Sequence, residues 1–157
     1  MAKKNKMNTS FIIHEDMQRE EMKGLGGTDA KEIVNGNWKD LWEIKTGKKA
    51  PVDLSDVLPV QLGIVTEDFN REWFTKETQI QVLKPGIIQS KLVEFLYASV
   101  DGITDSGCIF EAKHVSPFSF KDVTHRYYPQ IQHYLMVTRF QKAYHLKYVP
   151  FLPEHEQ

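Results

Sequence analysis

Ser99-Val100-Asp101-Gly102-Ile103 and Phe110-Glu111-Ala112-Lys113-His114-Val115 are the stretches whose reading decides the fold. The second continues an apolar run, Cys108-Ile109-Phe110, and carries a glutamate and a lysine two positions apart. Strand side chains alternate, so Glu111 and Lys113 share one face with Ala112 between them. Between the stretches lies Thr104-Asp105-Ser106-Gly107, whose turn chemistry predicts a hairpin that brings Asp101 level with Glu111. Asp101, Glu111 and the Ala112 carbonyl then offer a cation hard oxygen ligands of the kind magnesium or manganese takes. The Lys113 ammonium sits within reach of a water that attacks a phosphodiester. Each residue also has a plainer reading: Asp101-Gly102 as the start of a turn, and Glu111 with Lys113 as a solvent-facing pair on an edge strand. The apolar residues before Glu111 argue for a buried strand, where an unpaired carboxylate is costly.

Downstream, Tyr127-Tyr128-Pro129-Gln130-Ile131-Gln132-His133-Tyr134 reads as a helix that begins after Ser116-Pro117 and has Pro129 in its first turn. Ile131 and Leu135 fall on its core side, Gln130 and Tyr134 on another face. Ala143 to Val149 alternates as a last strand.

Upstream, a helix is expected from about Pro59 to Lys76, with Leu62, Val65, Phe69 and Trp73 as one apolar stripe. Glu67 falls beside that stripe, one turn after Gly63, whose missing side chain leaves space by the carboxylate. Glu67 is either a site carboxylate or the partner of Arg71 in a surface pair. Strands are expected over Thr78 to Leu83, Lys91 to Val100 and Cys108 to Lys113, the last two forming the hairpin. Earlier still, Gly24-Leu25-Gly26-Gly27-Thr28-Asp29-Ala30 predicts a helix start with Thr28 as N-cap, where free amides can hold a phosphate. Asn35-Gly36-Asn37 ends that helix, and Trp38, Leu41, Trp42 and Lys45 recur at helical spacing up to Gly47. Residues 1 to 10 read as a flexible tail, and Phe11-Ile12-Ile13 begins the ordered domain.

A chain of 157 residues, 41% hydrophobic and 11% aromatic, fits one folded domain and is short for two. Its one cysteine, Cys108, excludes an internal disulfide framework and a four-cysteine metal site. His114, His125 and His133 match no closed zinc spacing. Without a run of 18 apolar residues, and with a basic start lacking a signal-like core, the expectation is a cytoplasmic protein with no membrane partner. The net charge of -1 neither favours nor excludes nucleic acid, because an acidic metal site can offset a basic rim.

Taken together, GLGGTDA at 24–30, GIVTEDFNREWF at 63–74, SVDGI at 99–103, FEAKHV at 110–115 and YYPQIQHYLMVT at 127–138 resemble the YqaJ-type viral recombinase exonucleases, the family of phage lambda exonuclease within the PD-(D/E)xK superfamily. The resemblance implies an α/β restriction-endonuclease-like fold, a central mixed β-sheet flanked by helices, over residues 11–157. It implies digestion of linear duplex DNA from its ends, 5′ to 3′, with Mg2+ as cofactor and Mn2+ as substitute. Asp101 and Glu111 match the metal-binding carboxylates, Ala112 lends its carbonyl, and Lys113 matches the catalytic lysine. Glu67 matches the helix glutamate that reaches the site directly or through water. Gln130 matches the glutamine that holds nucleophile or scissile strand. Thr28 and Asp29 match the pair that meets the DNA end, and Arg71, Tyr128 and Tyr134 are further candidate DNA contacts. Val100 stands where the family usually has proline, and His114-Val115 where cysteine-proline often follows the lysine.

A single-strand annealing protein and a homo-oligomer are the partners implied besides DNA. Two alternatives stay open: a structure-specific or nicking endonuclease of the same fold, and an inactive module that binds DNA ends or recruits partners. Trp38, Tyr127, Tyr128 and Tyr134 could stack on bases, although most such aromatics pack internally. Arg126 and Arg139 are phosphate candidates by charge alone.

Overall fold

The computed structural model describes residues 10–114 and 122–148, which form five α-helices and seven strands. A four-stranded sheet runs β2 (Val82–Leu83), β5 (Gly102–Thr104), β6 (Ile109–His114), β7 (Ala143–Tyr148). β6 pairs antiparallel with β5 and parallel with β7. A parallel pair needs a long crossover, supplied by α5 (Val123–Thr138). A second, antiparallel sheet runs β1 (Phe11–His14), β3 (Ile87–Ser90), β4 (Tyr97–Ala98). The expected fold class, helices flanking a mixed sheet, is what the molecule shows.

Period-two alternation sets the layers. Phe110 turns to one face of β6 and meets Phe74 of α4 (Glu67–Thr78), ring centroids 5.0 Å apart. Glu111 turns to the other face, toward Gln130 of α5. The core gathers Ile88, Ala98, Ile103 and Ile109 from the strands and Val100 from the β4–β5 connection with Ile131, Tyr134 and Val137 from α5. The Ile131 side of α5 is thus core, as expected.

Several boundaries differ from the sequence expectation. The hairpin turn lies where predicted, with Gly107 at φ 76°, but the partner of β6 is Gly102–Thr104 rather than the end of a 91–100 strand. Gly102 is therefore a strand residue, and the turn reading of Asp101-Gly102 falls. A Cβ there would overlap Val82 of β2, which explains the glycine. The 91–100 strand breaks up because the Ser90 hydroxyl accepts hydrogen bonds from the Leu92 and Val93 amides, 3.2 Å each, and turns the chain between β3 and β4. The 78–83 strand shrinks to two residues, since α4 runs to Thr78 and ends on Gln79 in the left-handed region at φ 62°.

The long 59–76 helix is two: α3 (Leu58–Val65) and α4, divided at Thr66. The Thr66 hydroxyl bonds back to the Leu62 carbonyl and reaches Nε2 of His114 on β6, both at 2.6 Å. Such back-bonding competes with helix continuation. The expected stripe of Leu62, Val65, Phe69 and Trp73 is exposed, and α4 instead buries Asn70, Arg71 and Phe74.

Gly26, not Thr28, is the N-cap of α1 (Gly27–Val34), with Asp29 Oδ2 accepting from the Gly26 amide at 2.7 Å. α2 spans Trp38–Lys45. Pro129 lies well inside α5 rather than in its first turn. Its lost amide bond is tolerated within an otherwise well-packed helix. Of the expected 1–10 tail, Ser10 alone is described, and its hydroxyl donates to the Thr138 carbonyl at 3.1 Å. Ser116-Pro117 and Val149 lie outside the described residues. Among those residues, no helix is long and apolar enough to cross a membrane.

Candidate active site

β6 enters the site because its central place in the sheet forces Glu111 inward. That carboxylate is 1% exposed, which excludes the surface-pair reading. Lys113, on the same face, lays its ammonium 2.6 Å from Glu111 Oε1. Gln130 donates to the same oxygen at 3.3 Å, and to the Tyr134 hydroxyl at 2.6 Å. Oε2 of Glu111 is buried and has no hydrogen-bond partner among the described residues. Two donors on one oxygen and none on the other is a costly arrangement for a buried carboxylate unless a further ligand arrives.

Asp101 sits where β5 leaves the sheet. Its Oδ2 accepts from the Ala112 amide at 2.8 Å, and its own carbonyl accepts from Arg71 Nη1 at 2.8 Å. Because the N–H and C=O of one strand residue leave the same edge, the Ala112 carbonyl faces the same opening as Asp101. Burial pushes the Asp101 carboxyl above its ordinary range; Lys113 and the Ala112 amide oppose this, and Glu67 adds to it. Burial likewise pushes Glu111 up to about 7, against the pull of Lys113 and with the repulsion of Asp101. Burial alone would lower Lys113, but Glu111 and Asp101 together hold it above its usual value.

These groups line a cleft of about 470 Å³. Gly26, Gly27, Thr28 and Asp29 at the start of α1 line one part of it, and Gly63, Ile64 and Glu67 of α3 and α4 line another. A helix start presents free amides and partial positive charge, suited to an anionic ligand. A Cβ on Gly27 would overlap the Tyr134 ring and come within 2.9 Å of Gln130 Cγ, so the glycine lets α1 approach α5. Nothing lies within 4 Å of a Cβ on Gly63, the open space expected beside Glu67.

The structure brings together Asp101, Glu111, Ala112, Lys113, Gln130, Glu67, Thr28 and Asp29 around this cleft. Asp29 also pairs with Lys45 at 2.7 Å. Glu67 occupies the first turn of α4, favourable for an acid, and pairs with Lys84 and, at 4.0 Å, with Arg71. Glu67 thus lines the cleft and also approaches Arg71, but that arginine is buried, so the pair is not the surface pair of the second reading.

Of the three further expected DNA contacts, Arg71 and Tyr128 stand outside the cleft and Tyr134 lines it from its buried side. Arg71 is buried, with its guanidinium committed to the Asp101 carbonyl and Asp68, outside the cleft. It braces the site because the inner face of α4 lies against the sheet edge. Tyr128 is 57% exposed on the outer side of α5 and does not line the cleft. Tyr134 is 3% exposed and supports Gln130 from behind, four residues on along the helix.

Sequence reasoning missed Arg19, Ser99, Lys31 and Lys84. Arg19 donates to the Ser99 hydroxyl at 3.0 Å, and both line the cleft. Lys84 comes from a loop, with no local pattern to mark it. Tyr127, read from the sequence only as an aromatic that could stack on bases, also lines the cleft; its ring lies 5.1 Å from the Lys113 ammonium and 5.4 Å from that of Lys31.

No three His, Cys, Asp or Glu side chains converge as a ready cation cluster among the described residues. The donor set is nonetheless the right chemistry for a hard divalent cation: two adjacent carboxylates, one oxygen of them buried and unmatched, and a carbonyl turned to the same opening.

The chain is similar in structure to an alkaline exonuclease from Laribacter hongkongensis, with a TM-score of 0.68 and 16% identity over 86% of this chain and 74% of that one. Against the structure of that exonuclease in complex with dAMP, the TM-score is 0.69 with 16% identity, over 85% and 73% of the two chains. That likeness shows the fold, which is restriction-endonuclease-like. No curated protein sequence matches the chain. The model of the YqaJ-like viral recombinase domain matches residues 16–141, most of the chain and every residue that lines the cleft, so the chain belongs to that family.

Proposed function

We propose that the protein is a metal-dependent deoxyribonuclease that hydrolyses phosphodiester bonds at the ends of linear duplex DNA, 5′ to 3′, with magnesium as cofactor and manganese able to replace it. The observation that carries this reading is the buried Glu111 carboxylate, with one oxygen unmatched, on one strand face with Lys113 and beside Asp101. A bound divalent cation would neutralise phosphoryl oxygens and lower the pKa of an attacking water. Asp101, Glu111 and the Ala112 carbonyl would hold it, with Glu67 at the margin, directly or through water.

The chain's own residues divide the remaining work. Lys113 keeps its proton, because Glu111 and Asp101 hold its pKa up, and so serves as a fixed positive charge next to the attacking water. Gln130 fixes the rotamer of Glu111 through Oε1 and leaves Oε2 turned away from that bond. Tyr134 holds Gln130 in turn. Thr28 and the free amides at the start of α1 receive a backbone phosphate, and Asp29 stiffens that turn through the Gly26 amide. Family membership and the likeness to an alkaline exonuclease support DNA ends as the substrate.

Purified protein incubated with matched linear and circular duplex DNA, with and without magnesium, tests the reading. Loss of the linear substrate alone, dependent on metal and reduced at least about a hundredfold in Lys113→Ala, is the expected result. Nicking of the circle would replace it with the endonuclease reading. Binding without cleavage of either would replace it with the inactive-module reading.

A further inference from the structure

α2 buries none of its residues, and its two tryptophans are its most conspicuous exposed groups: Trp38 is 63% and Trp42 50% exposed. They stand one helical turn apart and share a stripe with Lys45. Lys45 is no bystander at the end of that stripe. Its ammonium donates to the Gly24 carbonyl at 2.9 Å and pairs with Asp29, so it forms part of the cleft wall. The aromatic stripe is therefore continuous with the opening of the site.

Its charge is of one dominant sign. Between Trp38 and Lys49 there are four lysines against Asp40 and Glu43; Lys45 pairs with Asp29 and Lys49 with Asp40, which leaves Lys39 and Lys48 against Glu43, in a chain whose net charge is -1. Lys48 places its ammonium 3.8 Å from the centroid of the Trp42 ring. Exposed indoles interleaved with ammonium groups are the combination that receives unpaired bases and their phosphates: rings stack on bases of any identity, and cations follow the backbone. A protein partner covering this face would have to strip water from Lys39 and Lys48, whereas a phosphate backbone uses both. Charge complementarity and continuity with the cleft thus select a polynucleotide.

We propose that the Trp38–Trp42 face of α2 is a stacking platform for single-stranded nucleic acid leaving or entering the cleft. The inference rests on the nuclease reading only for the source of that strand; the binding itself is independent of catalysis.

Binding of a fluorescein-labelled oligothymidylate to the Lys113→Ala protein, followed by anisotropy in EDTA, tests it. Trp38→Ala/Trp42→Ala in that background should weaken binding at least about tenfold, while Trp38→Phe/Trp42→Phe retains it within about threefold, as stacking predicts. Both tryptophans are exposed, so circular dichroism should show the same fold in all three proteins. Equal affinity of the double alanine protein and its parent, or no oligonucleotide binding by the parent, overturns the proposal. So does concentration-dependent self-association that the alanine pair abolishes without changing affinity, since the face would then join two copies of this chain. Stacking without DNA cleavage by the unsubstituted protein would leave the platform standing and defeat the nuclease reading; cleavage with unchanged affinity would do the reverse.

Discussion

The two walls of the cleft are built on opposite principles. On the β6–α5 side Glu111, Gln130 and Tyr134 are buried, with Ile109 and Phe110 sealed beside them and Lys113 half-buried at the opening. Around the rim, α2 and α3 bury none of their residues: Leu58, Ile64 and Val65 of α3 face solvent, as do Trp38 and Trp42 of α2. A buried wall can hold a carboxylate at a raised pKa and keep its geometry fixed. An exposed apolar and aromatic wall can do neither, but it can meet a large ligand. On the proposed nuclease reading, the difference would put chemistry and substrate contact in separate packing regimes, so substitutions in the two regions should fail in different ways.

The largest expected effect is on the buried side and appears as pH dependence. Glu111 is raised from 4.5 to about 7 in the folded protein. Through that interval the unfolded chain ionises while the folded protein keeps its proton. Stability contributed by the neutral carboxyl is therefore complete at low pH and is lost as pH rises through about 7, in all about 3 kcal/mol. Asp101, raised in the same direction, adds to the loss. Burial lowers His114, His133 and His145, and these act with opposite sign, losing stability as pH falls. The measurement is accordingly a difference: urea unfolding of the metal-free protein and of Glu111→Gln at about pH 5 and pH 8. The parent should lose about 3 kcal/mol more than the variant between those values. Magnesium should stabilise the parent more at the higher pH, where the site is ionised, and the variant little at either. Parallel pH profiles would mean that Glu111 ionises freely and that the sheet wall is not the dry environment described.

That wall was also the part most legible beforehand, for a physical reason. Glu111 and Lys113 are related by strand alternation, and Gln130 and Tyr134 by helical spacing, so local geometry alone puts each pair on one face. Asp101 needed only a short hairpin. The unread features all depend on contacts distant in sequence. Thr66 breaks a helix because His114, on another strand, stands within 2.6 Å of its hydroxyl. Arg71 turns inward because the Asp101 carbonyl is there to receive it. Lys84 reaches Glu67 from a loop that no periodicity marks. The stripe on α3 and α4 had core-like spacing and proved exposed, since apolar spacing marks a face without telling what covers it.

A second comparison uses two glycines that line the cleft, Gly27 and Gly63. Gly27→Ala drives a methyl group into Tyr134 and Gln130 where α1 meets α5. Overpacking of this kind costs about 1–3 kcal/mol. The displaced Gln130 should also lower turnover of linear DNA, because its bond fixes Glu111. A Gly27→Ala protein with an unchanged urea midpoint would show that the buried wall yields more readily than its packing implies.

Gly63→Ala is the smallest effect and the sharpest discriminator. Gly63 lies inside α3, its φ is not in the left-handed region, and a Cβ there meets nothing within 4 Å. Replacing glycine by alanine in a helix interior should raise stability by up to about 1 kcal/mol. The same opening beside Glu67 is where a DNA strand would pass, so a larger side chain should act on binding alone. Gly63→Leu is expected to leave the unfolding free energy within about 0.5 kcal/mol of the alanine variant, yet to raise KM for linear duplex several-fold with kcat little changed. A substitution that lowers kcat as much as it raises KM would place Gly63 with the chemistry instead. The rim would then belong to the buried wall, and the division between a fixed catalytic face and a tolerant contact face would fail at the point where the two come closest.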